Sequence, residues 1–141
     1  MSLSNKHAIQ LKKVIVRELA FKKLSNKECG DISVKLNVGH SPFQPESHII
    51  TVSLKCGIDE NPSFSVNVEV SGVFEVDTDH FDIAFINEWA QKNAPYILHP
   101  YLREQLYSLT MHAGVEPLLL PLVQVPTTRE TVKPPKKTIK K

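Results

Sequence analysis

The sequence is short of cysteine, of clustered glycine and of long apolar runs, and each shortage closes a door. Cys29 and Cys56 are the only cysteines among 141 residues, too few for a disulfide framework or a four-cysteine metal site. The five glycines stand apart, so neither GxGxxG nor GxxxxGKS/T is present to cradle a phosphate. There is no GxSxG nucleophile elbow. The six histidines, at 7, 40, 48, 80, 99 and 112, show no HExxH or paired spacing. Glu75, Asp77, Asp79 and Asp82 resemble a Ca²⁺ loop only superficially, because the glycine and the closing glutamate of an EF-hand are missing. A strand end leading into a helix start accounts for them. No run of 18 apolar residues exists, so no helix is expected to span a membrane. The N-terminal MSLSNKHAIQLKK lacks the apolar core and cleavage site of a signal peptide, which points to the cytoplasm. The chain is therefore read as non-enzymatic, with no cofactor and no metal.

What is present is an ordinary globular composition with an uneven charge. Hydrophobic residues make up 41% and charged residues 23%, which suits one folded domain. The net charge of +2 hides basic ends and an acidic middle. Residues 1–27 carry seven Lys or Arg against Glu18 alone, residues 129–141 carry six against Glu130, and residues 28–128 carry four against thirteen acids. A uniform nucleic-acid binder has no such pattern.

Four segments read as strands. Over residues 8–24, Ile9 and Leu11 share one phase, Val14 and Val16 the other, and Leu19 and Phe21 return to the first. β-Branched residues favour a strand there, and the phase shifts are what β-bulges produce. Residues 32–38 alternate at Ile32, Val34, Leu36 and Val38; the Gly, Ser and Pro of 39–47 read as a turn. Residues 48–58 alternate at Ile50, Val52, Leu54 and Cys56. In 63–76, Phe64, Val66, Val68, Val70, Phe74 and Val76 share a face that Gly72 interrupts. Four strands with short connections predict an antiparallel meander with one apolar and one wetted face.

The period then changes. Phe81, Phe85 and Trp89 recur at helical spacing over 78–92, where Thr78 or Asp79 is placed to cap and Asp82 falls in the first turn. Pro95 breaks the chain, and Pro100 predicts that a second, longer helix starts near residue 97. Leu98, Leu102, Leu106 and Leu109 form its apolar stripe, and Gly114 ends it. Beyond it, Leu118, Leu119, Leu120, Leu122, Val123 and Val125 lie in an arm that Pro117, Pro121 and Pro126 keep from pairing as an inner strand. Such an arm is either a cover for its own sheet or the wall of a groove that receives extended peptide. The lysine-rich 127–141 has the composition of a disordered tail.

Runs of strands followed by helices define an α+β fold. About one and a half helices cannot cover a four-stranded sheet, so a homo-oligomer is expected, with Leu98, Leu102, Arg103, Leu106 and Leu109 as candidate subunit contacts. A second reading takes the basic tail as the functional part, binding nucleic acid or a membrane surface through phosphate. A third has the sheet holding a small apolar ligand.

Residues 81–126 also resemble a known family. An aromatic-rich short helix is followed by Asn93-Ala94-Pro95-Tyr96-Ile97-Leu98, then Pro100-Tyr101-Leu102-Arg103-Glu104, a helical turn to Gly114 and a Leu/Pro arm. This order and wording are similar to the SecB-type protein-export chaperones. The resemblance implies a four-stranded sheet with a long helix, assembled as a dimer of dimers (a homotetramer). It also implies an ATP-independent holdase that keeps unfolded preproteins in an apolar groove. The peptide-binding wall would be Leu118, Leu119, Leu120, Leu122, Val123 and Val125, with Phe74 and Tyr101 beside it. Some members of the family serve an antitoxin instead, in a toxin–antitoxin–chaperone system. Lys35 and Lys55 share polar faces with Glu69 and Glu75, where export chaperones use acids to dock on the motor ATPase.

Overall fold

The computed structural model describes residues 6–121; Leu122, Val123, Val125 and the basic tail lie outside the described residues. Four strands, β1 (Ile9–Lys23), β2 (Lys35–His40), β3 (Ile49–Ile58) and β4 (Phe64–Val76), make one antiparallel sheet. A 3-10 turn (Ile83–Phe85) and two helices, α1 (Ile86–Lys92) and α2 (Ala94–His112), complete the α+β fold.

Strand β1 shows why its apolar residues change phase. Its register against β4 slips between Leu11 and Lys13 and again between Val16 and Glu18. Each bulge adds one residue and reverses the alternation. Ile9, Leu11, Val14, Val16, Leu19 and Phe21 thus face Val76, Phe74, Gly72, Val70, Val68 and Val66 in turn. All six stay on one side of the sheet.

The sheet order is β1-β4-β3-β2. Strands β2, β3 and β4 form the expected meander, but β1 joins the far side of β4 rather than β2. The two longest strands pair with each other, and residues 24–34 cross the end of the sheet to reach β2. That crossing is tied down by Asn61, a buried side chain that donates to Cys29 O at 2.9 Å and accepts from Ser63 N at 2.8 Å. Strand β2 also begins later than the alternation predicts and runs on through Gly39 and His40, so the turn is shorter. His48, at φ 62°, takes the left-handed conformation before β3.

The helices depart from expectation in three ways. Asp82, not Thr78 or Asp79, caps the first turn, accepting from Ala84 N at 3.0 Å. That turn is 3-10 rather than α, so Phe85 falls out of step with Trp89 and is exposed. Pro100 sits inside α2 instead of in its first turn, and Pro95 occupies the N-terminal position. Pro100 is tolerated because it lies on the exposed side, where the carbonyl it cannot serve belongs to exposed Tyr96.

The core lies between sheet and helices. Ile50, Val52, Leu54, Cys56 and Ile58 of β3 and Phe64, Val66, Val68, Val70, Phe74 and Val76 of β4 meet Ile86, Trp89 and Ala90 of α1 and Leu98, Leu102 and Leu106 of α2. Trp89 packs edge-on against Phe74 with ring centroids 5.0 Å apart. Burial pushes the Cys56 thiol up to about 12, so it stays protonated and unreactive at neutral pH.

Candidate functional site

The arm after α2 is held at three points. Leu118 N donates to Thr110 Oγ1 at 2.9 Å, and this buried hydroxyl donates in turn to the carbonyl of Leu106 at 2.9 Å. Eleven residues earlier on α2, His99 Nε2 lies 3.1 Å from Pro121 O. A carbonyl only accepts, so the ring nitrogen carries the proton. Burial, with a smaller push from Arg103, holds His99 below the ordinary imidazole range, although the bond to Pro121 opposes this. The latch is therefore made by a neutral ring at physiological pH. Between the two bonds the Leu120 side chain is sealed in the core, 1% exposed. The chain thus runs back along α2, antiparallel to it.

This placement sorts the predicted peptide-binding residues. Leu120 and Phe74 are core residues and offer no surface: one anchors the arm, the other lies under Trp89. Leu118 is half-buried, whereas Leu119 is 60% exposed and Tyr101 is open on the outer side of α2. The candidate contacts sort in the same way. Leu98, Leu102 and Leu106 are fully buried against the chain's own sheet, so they are not a face for another subunit. The expectation failed because a helix stripe first satisfies the sheet beneath it. Leu109 is partly buried against the same core, and Arg103 lies at its margin.

Sequence reasoning passed over the other side of α2. Tyr96, Ile97, Tyr101, Tyr107 and Met111 are all exposed, where a one-sided helix would carry charges. The helical wheel held that signal, since these residues are out of phase with Leu98, Leu102 and Leu106. A second open area lies on β1. Val16 and Leu19 face the core side of the sheet, yet are 43% and 47% exposed. The under-covered sheet inferred from the number of strands and helices is found at β1, where these two side chains stay open.

The remaining polar features have structural roles. Asp77 accepts from Asp79 N at 3.0 Å and pairs with His80 at 2.7 Å, which lowers the Asp77 pKa and raises that of His80. On the wetted sheet face, Lys55 pairs with Glu18, Lys12 with Glu75, and Lys35 with Asp59 and Glu60. Among the described residues no group of three or more His, Cys, Asp or Glu is placed to hold a metal, and no helix is long and apolar enough to cross a membrane.

A four-stranded antiparallel sheet layered by a two-part helix, with an apolar arm latched along the longer part, defines the structural class. The family model described as preprotein translocase subunit SecB matches residues 3–126, and the chain belongs to the SecB family. This is a family of non-enzymatic chaperones. An uncharacterised protein of Methanocaldococcus jannaschii is 27% identical over 134 residues, covering 89% of this chain and 84% of its own. The protein-export protein SecB of Anaplasma phagocytophilum is 27% identical over 75 residues, covering 52% of this chain and 48% of its own. Among solved structures, the SecB-like chaperone Rv1957 of Mycobacterium tuberculosis, in complex with a ChAD peptide from the HigA1 antitoxin, superposes with a TM-score of 0.69. It is 14% identical and covers 82% of this chain and 91% of its own, a likeness of fold.

Proposed function

We propose that this SecB-family chain is an ATP-independent holdase that keeps unfolded, extended polypeptide against its apolar surface, in service of protein export. The observation that carries this reading is the outer side of α2, where tyrosine, isoleucine and methionine side chains stand open, together with Leu119. A large exposed apolar patch on a soluble domain marks an interaction site. Contacts of this kind grip many sequences with little selectivity. Leu119 and Tyr101 remain contacts in this proposal, along with the outlying Leu122, Val123 and Val125.

The test is suppression of aggregation of a chemically unfolded client, without nucleotide. Leu119→Glu places a charge on an exposed tip, so the thermal midpoint should stay within about 1–2 °C of wild type, as surface substitutions usually do. Suppression should fall by at least half. Full suppression by a folded Leu119→Glu protein would remove the arm from the site.

Part of the open surface is assigned to a second copy. Strand β1 is a 15-residue edge strand with exposed Val16 and Leu19, and unprotected edges of that length invite pairing. A dimer or a tetramer is the expected species in light scattering at micromolar concentration. A monomer there would contradict the assignment. A second reading, a chaperone dedicated to one antitoxin, draws on the antitoxin peptide held by the Mycobacterium tuberculosis neighbour. It predicts that one small cognate protein, rather than a spread of unfolded precursors, co-purifies.

A further inference from the structure

Thr110 is a fully buried polar residue inside α2, where valine has nearly the same shape and no hydroxyl to satisfy. The hydroxyl donates to the carbonyls of Leu106 and Tyr107, 2.9 and 3.1 Å away, but the helix ladder already serves both carbonyls. The helix therefore gains little from it. The group that depends on it is Leu118 N, bonded to Thr110 Oγ1 at 2.9 Å. His99 repeats the pattern: it is buried, and its ring Nε2 donates to Pro121 O at 3.1 Å. Buried polar groups are costly unless paired, and both of these are paired to the arm.

Residues 99 and 110 are eleven apart, about three turns, so they stand on one side of α2 about 16 Å from each other. The chain from Leu118 to Pro121 spans at most about 10 Å. The arm is therefore drawn between the two side chains with little slack, and a slip of one residue would break one bond or the other. This fixes where each side chain points: Leu118 is half-buried, Leu120 is sealed in the core, and Leu119 faces outward.

We propose that Thr110 and His99 are positioning residues for client binding, which hold Leu119 in place as a preorganised outward contact. This rests on the holdase reading and names the residues that set its geometry. A contact already held in position loses less freedom when a client arrives. Such contacts keep their geometry only when the side chains behind them are themselves locked.

The experiment uses the full chain and a labelled twelve-residue peptide of Leu, Val and Ser, with binding followed by fluorescence anisotropy and urea unfolding run beside it. Thr110→Val should bind the peptide about threefold to fivefold more weakly, the size expected from one lost hydrogen bond. Thr110→Ser keeps the oxygen and should bind like wild type. At the other end, His99→Leu should weaken binding to a similar extent, and His99→Gln, whose amide can still donate to Pro121 O, should recover most of it. The deciding measurement is a double-mutant cycle. Leu119→Ala should weaken binding about tenfold by itself, in line with the apolar surface it removes, and in that background Thr110→Val should add nothing. Wild-type binding by Thr110→Val would overturn the proposal. So would an undiminished effect of Thr110→Val when residue 119 is alanine, because the threonine would then act on the fold and not through Leu119. Should Thr110→Val be too unstable to assay, His99→Leu and His99→Gln run the same cycle from the other end. If the peptide does not bind wild type at all, the holdase reading fails, whereas a failed cycle on a binding protein sinks this proposal alone.

Discussion

Replacing Leu120 with glutamate should lower stability to urea by about 3–5 kcal/mol and open the chain after α2 to protease. The size follows from what holds the arm. Burying a leucine side chain contributes about 1.5–3 kcal/mol, and the bonds from Leu118 to Thr110 and from His99 to Pro121 add about 1 kcal/mol each. The loss is capped near that sum. A carboxylate forced into the core would cost more than undocking the arm, so the arm leaves and takes the charge to water. The undocked state uncovers part of the Leu98–Leu106 stripe, and a dye that reports exposed apolar surface should register it. Client holding should fall as well, because Leu119 loses its position. Set beside Leu119→Glu, this separates two causes: the tip variant loses holding with its fold intact, and the anchor variant loses both. A Leu120→Glu protein with wild-type stability and protease resistance would show that the arm is not docked in solution.

The contrast between Leu119 and Leu120 also marks where the sequence stops being informative. A strand or helix has a period, so one buried residue predicts the next. Six apolar residues among prolines have none, and the inward or outward direction of Leu118, Leu119 and Leu120 is set by Thr110 and His99, which neither composition nor spacing connects to the arm. The β1 phases were legible for the opposite reason. A bulge leaves a parity change in the sequence, and Ile9, Leu11, Val14, Val16, Leu19 and Phe21 keep to one side through both bulges. The partner of β1 was not legible, because pairing β1 with β4 depends on a crossing that no local pattern records. Pro100 misled for a local reason. Its rule assumes an interior carbonyl that must be served, and on the solvent side of α2 that demand is absent. The family could be read from the helix wording, whereas only the docking of α2 on the sheet separates an outward tyrosine face from an inward leucine face.

Gly72→Val should be the most damaging substitution in the sheet. Gly72 interrupts the apolar row of β4, and the structure shows what fills the gap. A Cβ placed there would lie 2.7 Å from Leu98 Cδ2 and 3.0 Å from both Leu11 Cδ1 and Phe74 Cε2. This is where α2 comes down on the sheet, and all three neighbours belong to the packed interior or its edge. Glycine is required here by close approach, not by its backbone angles, since no positive φ is found at this position. Adding atoms to a filled core costs about 1–3 kcal/mol, and valine brings two methyl groups beyond the clashing Cβ, so the cost should reach or pass the top of that range. Gly72→Ala should fall near the middle, because the ends of Leu98 and Leu11 can give a little. The same contact seats α2, whose outer side carries the proposed client surface. Gly72→Val is therefore expected to reduce client holding through displacement of the helix, although residue 72 touches no client. Urea unfolding and the aggregation assay on both variants check this. If Gly72→Val kept wild-type stability, α2 would have to sit farther from the sheet than the 2.7 Å approach allows, and the placement of its outer face would need to be redrawn.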